Sequence, residues 1–213
     1  MTKPSKAIPV RRSPLDHRRP IEATASAVRM AERRFVAKHM LRADAEAAAP
    51  AVAAALGIGL PRTPLASAAE GETAWLWMGP DEWMLVAPPA EGGGRAAAVG
   101  AALGAVRHQL VDVGDYYAVI ELAGPMARDL LAKLTTLDLH PRAFRPGACA
   151  GSVFGRVNAL LWLKGEEGTP GPVFWLFVRW SHADYLWCVL AACGREWGMP
   201  EEVPVKGEPL VPP

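Results

Sequence analysis

The sequence is poor in the features that announce an enzyme. It contains no G-x-G-x-x-G and no G-x-x-x-x-G-K-[ST], the loops whose backbone amides cradle dinucleotides and nucleotide phosphates. GACAGS, ending at Ser152, is not the G-x-S-x-G of a nucleophile elbow. Only three cysteines occur, Cys149, Cys188 and Cys193, and none forms a C-x-x-C. A structural zinc site needs about four grouped Cys or His ligands, so buried inert thiols are expected instead. No apolar run approaches the roughly 20 residues of a membrane span, and none of about 7–15 residues follows the basic start as an export signal requires. The net charge of +1 over 213 residues demands neither nucleic acid nor an anionic surface as partner. The expected compartment is the cytoplasm. Arginine and alanine outweigh lysine, the usage of a bacterium with a GC-rich genome.

What the chain does have is local. Lys3, Lys6, Arg11, Arg12, Arg18 and Arg19 face only Asp16 in the first twenty residues, among Pro4, Pro9, Pro14 and Pro20. So little apolar area predicts an extended tail over 1–20 that orders on a partner and leaves the chain's own core untouched. A strand is expected from about residue 28 to Leu41, with Phe35, Ala37 and His39 on one face. An alanine-rich helix follows, capped by Asp44 or starting at Pro50, and Gly57 stops it. PRTPLASAAEGE reads as a loop. AWLWMG and EWMLVAP are short aromatic strands about a Gly79-Pro80-Asp81-Glu82 turn. Gly92 to Gly94 form a hinge before a helix ending near His108. Two strands flank Gly114-Asp115, and Gly124-Pro125 opens a helix with Ala127, Leu130, Leu131 and Leu134 at i, i+3, i+4 and i+7. The strands ACAGSVF, VNALLWL and VFWLFVRW come next, the last apolar on both faces and so central. Ser181 with Asp184 reads as a shortened capping box for a final helix whose stripe is Leu186, Leu190, Cys193 and Trp197. Residues 198–213 are a proline-rich tail. Strands interleaved with helices and several hairpins predict an α+β fold with mixed or antiparallel sheets, one domain over 21–197 with small lobes at 21–110 and 111–197.

No residue set converges as catalysis requires. Asp81 and Glu82 are adjacent, so their side chains diverge on a strand and are both exposed in a turn, whereas paired acid and base work needs convergence on one substrate. They are read as a turn. Asp112 and Asp115 lack the further oxygen ligands of a cation site and are read as caps of turn amides. His140 is read as a solvent-facing loop residue. His182 opens a helix, where an imidazolium is unfavourable. The surplus is tryptophan, eight in all, with Trp75, Trp77, Trp83, Trp162 and Trp175 near strand ends. Tryptophan is enriched at interfaces, so Trp77 and Trp83 are read as packing or interface residues. Arg11, Arg12, Leu15, Arg18 and Arg19 join them as the candidate subunit interface.

Several passages together resemble the gamma subunit of heterotetrameric sarcosine oxidase: RRSPLDH, LGIGLPRTP, WLWMGPDEWMLV, the run from LVDVGDYY to GACAGS, and FVRWSHADYLWCVLAAC. GPDEW and L-D-L-H-P-x-x-F-x-P-G are the most specific pieces. The resemblance implies the folate-binding fold of the glycine cleavage aminomethyltransferase. It further implies a non-catalytic subunit, docked mainly on alpha, in a complex that oxidises sarcosine to glycine and passes the one-carbon unit to tetrahydrofolate. FAD, FMN, NAD, tetrahydrofolate and zinc are then expected in the alpha, beta and delta partners and no cofactor in this chain. The alternatives are a stand-alone folate-binding module and an independent aminomethyltransferase, which needs a poised acid the chain does not show.

Overall fold

Side-chain alternation along the strands builds the architecture, and the central hairpin shows it most plainly. A computed structural model describes residues 11–22, 27–165 and 170–202. The expectations for Lys3 and Lys6, and for the proline-rich end beyond residue 202, lie outside the described residues. In β10 (Val157–Gly165) and β11 (Val173–Arg179), Leu161, Leu163, Phe174 and Leu176 face one core, while Leu160, Trp162, Trp175 and Phe177 face another. Period-two alternation with both faces apolar is what a strand covered on both sides requires. β11 lies between β10 and β8 (Tyr117–Ala123), as its two-faced apolarity predicts.

One six-stranded sheet runs β1 (Ile21–Glu22), β2 (Arg29–Glu32), β8, β11, β10, β9 (Cys149–Phe154), antiparallel throughout. A five-stranded antiparallel sheet runs β4 (Ser67–Glu70), β5 (Thr73–Gly79), β6 (Glu82–Ala87), β3 (Ala37–Ala43), β7 (His108–Asp112). The two sheets share the core formed by Leu76, Met84, Val119, Trp162, Trp175 and Phe177. Helices α1 (Ala45–Leu56) and α2 (Gly92–Leu103) cover the outer face of the smaller sheet over Leu41, Trp75, Trp83 and Leu85. Helices α3 (Ala127–Ala132) and α4 (Ala183–Cys193) cover the outer face of the larger one over Ile120, Leu161 and Leu176. The order of layers is helix, sheet, sheet, helix. This is the expected α+β class.

The strand order does not follow the expected halves 21–110 and 111–197 residue for residue. β1 and β2 belong to the larger sheet, and the chain crosses to the smaller one at Phe35, which holds a positive φ of 55°. The single strand expected from residue 28 to Leu41 is therefore two strands in different sheets. The expected hairpin about Gly114 is likewise a crossover, since β7 pairs with β3 and β8 with β11 and β2. The loop expected before Trp75 contains β4, whose neighbourhood stitches the two sheets together. Ala66 bridges Ala148, Ser67 N donates to Gly147 O at 2.9 Å, and Trp162 Nε1 donates to Ser67 Oγ at 3.0 Å.

α1 takes the first of its two expected starts, and the boundaries of α2 and α4 move. Asp44 caps α1, its carboxylate accepting from Ala47 N at 2.9 Å, and Pro50 sits inside the helix. Pro50 is exposed, so the Glu46 carbonyl it frees can turn to water, which softens the usual cost of an interior proline. Gly92 begins α2 instead of serving as a hinge, and it is glycine because a Cβ there would overlap that of Ala37. The helix stops at Leu103, and His108 already belongs to β7. A 3-10 turn at Trp180–His182 precedes α4, whose cap receives no side-chain bond, so the expected Ser181 capping box does not form.

Candidate docking surface

Residues 11–19 form a strap across the larger sheet and α4, and this corrects the expectation of a tail independent of the fold. Leu15 has no exposed surface and packs in the core with Val28, Leu186 and Trp187. Arg18 is 7% exposed; its Nε donates to Asp184 Oδ1 at 2.8 Å, its Nη1 to Glu202 Oε2 at 2.7 Å and its Nη2 to Cys188 Sγ at 3.0 Å. Burial opposes the Asp184 charge, but the bonds from Arg18 and His17 outweigh it and hold the carboxyl below its usual value. Arg11 Nε donates to Asp115 Oδ1 at 3.0 Å, and its guanidinium lies 4.6 Å from the centre of the Phe35 ring. Ser13 donates to Glu32. One leucine and one arginine fitted into prepared places supply the ordering that bulk apolar area does not.

The candidate interface residues therefore separate. Leu15 and Arg18 are used inside the fold, and so is Trp83, which is buried under the helices with its Nε1 donating to Pro61 O at 2.8 Å. All three are buried within the chain's own fold. Arg12 and Arg19 are exposed and form no ion pair among the described residues, and Trp77 is half-buried. These three remain available to a partner.

The other sequence candidates fall into structural places. Asp81 turns the β5–β6 hairpin and pairs with Arg42 at 3.0 Å, so the turn reading of Asp81 and Glu82 stands. Asp112 Oδ1 accepts from Gly114 N at 2.7 Å, the expected cap, and a Cβ on Gly114 would come within 2.9 Å of that oxygen. Asp115 is taken by Arg11 and caps no turn amide among the described residues. His140 is exposed and its Nδ1 accepts from Arg142 N at 3.2 Å, while Ser152 Oγ meets Thr135 Oγ1 at 2.9 Å. Burial pushes the Cys149 thiol up to about 11, and Cys188 and Cys193 rise for the same reason. Among the described residues no group of His, Cys, Asp and Glu is placed to hold a metal.

Sequence reasoning passed over two features. Lys38 is 2% exposed between the sheets, where Nζ donates to Tyr117 O at 2.7 Å and burial pulls it down to about 8. Its signal was present, since Lys38 is in phase with the inward-facing Met40. A cleft of about 330 Å³ opens between the sheets, walled by Arg33, Arg34, Val36, Pro88 and Trp175. Its arginines are already engaged: Arg33 with Glu121 at 3.4 Å, and Arg34 with Asp16 at 3.1 Å and Glu32 at 3.3 Å. Trp175 Nε1 donates to Glu121 Oε2 at 2.9 Å, and Lys164 Nζ lies 4.5 Å from the indole centre. Among the described residues that line this cleft, none is a nucleophile beside a base.

Residues 42–196 match the sarcosine oxidase, gamma subunit family. The chain belongs to that family. Over 164 residues it is 42% identical to sarcosine oxidase subunit gamma of an Arthrobacter species, covering 74% of this chain and 79% of the relative. A chain of the heterotetrameric sarcosine oxidase from Corynebacterium sp. U-96, in complex with pyrrole 2-carboxylate, superposes with a TM-score of 0.77 at 30% identity. That match covers 91% of this chain and 99% of the other. The glycine cleavage system aminomethyltransferase T of Bartonella henselae shares the fold, with a TM-score of 0.58 at 15% identity over 78% of this chain and 46% of its own. The expected gamma-subunit family and the aminomethyltransferase-like fold are thus both found. Within this gamma-subunit family member, the matched segment starts at Arg42 in β3 and leaves the strap outside it.

Proposed function

We propose that this chain is a non-catalytic gamma subunit in a four-subunit sarcosine oxidase of the cytoplasm. The observation that carries the reading is the near-complete superposition on one chain of a heterotetrameric sarcosine oxidase. In this reading the other subunits carry FAD, FMN, NAD, tetrahydrofolate and zinc. They oxidise sarcosine to glycine and pass the one-carbon unit to tetrahydrofolate. Arg12, Arg19 and Trp77 are assigned to contacts with alpha.

The test is co-expression with the alpha, beta and delta subunits encoded in the same genome. The chain should co-purify in one stoichiometric complex that turns over sarcosine, and the chain alone should be colourless and inactive. A flavin spectrum in the isolated chain, or a fully active complex of normal stability formed without it, would reject the proposal.

A further inference from the structure

Two non-glycine residues among those described hold a positive φ, Phe35 at 55° and Leu65 at 62°. Such a conformation is costly for a side chain with a Cβ and persists only where the surroundings impose it. Phe35 has an account inside the fold: it turns the chain between the sheets, and Arg11 covers its ring. Leu65 has only half of one. Its carbonyl accepts from Cys149 N at 2.8 Å, and the neighbouring Ala66 bridges Ala148. These bonds explain the backbone, but glycine or asparagine would adopt the same φ at lower cost. The leucine side chain is 52% exposed and belongs to none of the three cores.

A single exposed leucine is ordinary. A strained one on a rigid corner, beside unbalanced charge, is not. The loop 140–147 is bonded to this corner, with Ser67 N and Oγ donating to Gly147 O at 2.9 and 2.7 Å, and it turns at Arg145, whose carbonyl accepts from Ala148 N at 2.9 Å. Arg142 and Arg145 on that loop are exposed and form no ion pair among the described residues. Half-buried Trp77 is bonded to the residue after Leu65, its backbone N–H donating to Ala66 O at 3.0 Å. The nearby Arg62, by contrast, is neutralised by Glu46.

We infer that Leu65 is an apolar anchor that seats in a pocket of another subunit of the complex, a pocket rimmed by carboxylates that meet Arg142 and Arg145. The inference rests on the gamma-subunit reading and specifies which corner of the chain docks. The unpaired cations select an acidic rim by charge complementarity, which speeds and orients encounter more than it tightens binding. The leucine supplies the desolvated contact.

The distinguishing test exploits opposite signs. Leu65→Gly relieves the φ and removes the anchor. The isolated variant should melt no lower than the wild-type chain, yet its affinity for a co-expressed alpha, beta and delta preparation should fall by roughly tenfold or more. Leu65→Asn should behave alike, and Leu65→Met should restore assembly. Replacing Arg142 and Arg145 by alanine should slow association and flatten its salt dependence. Equal affinity of Leu65→Gly and wild type, or a lower melting temperature with unchanged assembly, overturns the anchor. If sedimentation shows that the chain alone dimerises and Leu65→Gly abolishes the dimer, the corner binds a second copy and the assignment to another subunit fails. Failure of the wild-type chain itself to assemble overturns the gamma-subunit reading, and the anchor with it.

Discussion

Arg18 and Asp184 are 166 positions apart in the chain and 2.8 Å apart in the fold. The guanidinium reaches past Asp184 to Glu202, so the two ends of the described chain close on one side chain. Removing one member of a buried pair strands the other, at a cost of about 3–5 kcal/mol. Arg18→Ala should therefore lower the unfolding free energy by about 3 kcal/mol. Deleting residues 1–20 also empties the Leu15 site, where truncation alone costs about 2–5 kcal/mol. That deletion should lower the melting temperature by roughly 10 °C or more, measured by circular dichroism on the isolated chain.

The same clasp has an acid limb. Asp184 is held below its unfolded value, so its stabilisation is present above the usual carboxylate pKa of about 3.9 and is lost as pH falls through the lower folded value. Wild type and Asp184→Asn should differ in urea midpoint at pH 7 and converge at the lowest pH where both still fold. A gap that stays constant on acidification would show that the carboxylate charge is not the source.

Lys38 works in the opposite direction. Its folded pKa of about 8 lies below the 10.5 of an ordinary lysine, so the unfolded chain binds the proton more tightly. The folded state is disfavoured below pH 8, and that penalty fades as pH rises towards 10.5. Lys38→Met should be the more stable protein at pH 7 by about 2 kcal/mol, once about 1 kcal/mol for the orphaned Tyr117 carbonyl is subtracted. The advantage should shrink by pH 10, as paired urea titrations will show.

Gly92→Ala should cost about 3 kcal/mol or more, because the added methyl cannot enter the space of Ala37 Cβ without displacing α2. Gly93→Ala is its control, since nothing lies within 4 Å of a Cβ there. Chemical denaturation of the two variants side by side decides the point.

Asp81→Asn together with Glu82→Gln should leave sarcosine turnover of the assembled complex nearly unchanged. A hundredfold loss with assembly intact, about 2.7 kcal/mol of barrier, would return these carboxylates to the chemistry.

Faces were legible and neighbours were not. The two-sided apolarity of Phe174 to Val178 marked β11 as interior, and the alanine-rich stretch after Asp44 marked α1, because each is a local pattern of period two or 3.6. Nothing local to Val111 and Tyr117 says that the strands on either side of Gly114 part to different sheets. Asp184 looks like a capping residue when only Ser181 is in view; its partner is an arginine near the other end of the chain. Lys38 could have been noticed from its inward phase. The exposure and strain of Leu65 depend on a bond to Cys149 that no spacing announces.

The Arg18 clasp also sets an order of events during synthesis. Arg18 leaves the ribosome long before Asp184 does, and at about 5–20 residues per second the interval is roughly 10–30 s. β2 waits similarly for β8, its partner in the larger sheet. The strap, made before its partners, is thus among the last segments to settle, and for that interval Leu15 and its flanking arginines are open to whatever chaperone or partner chain reaches them first.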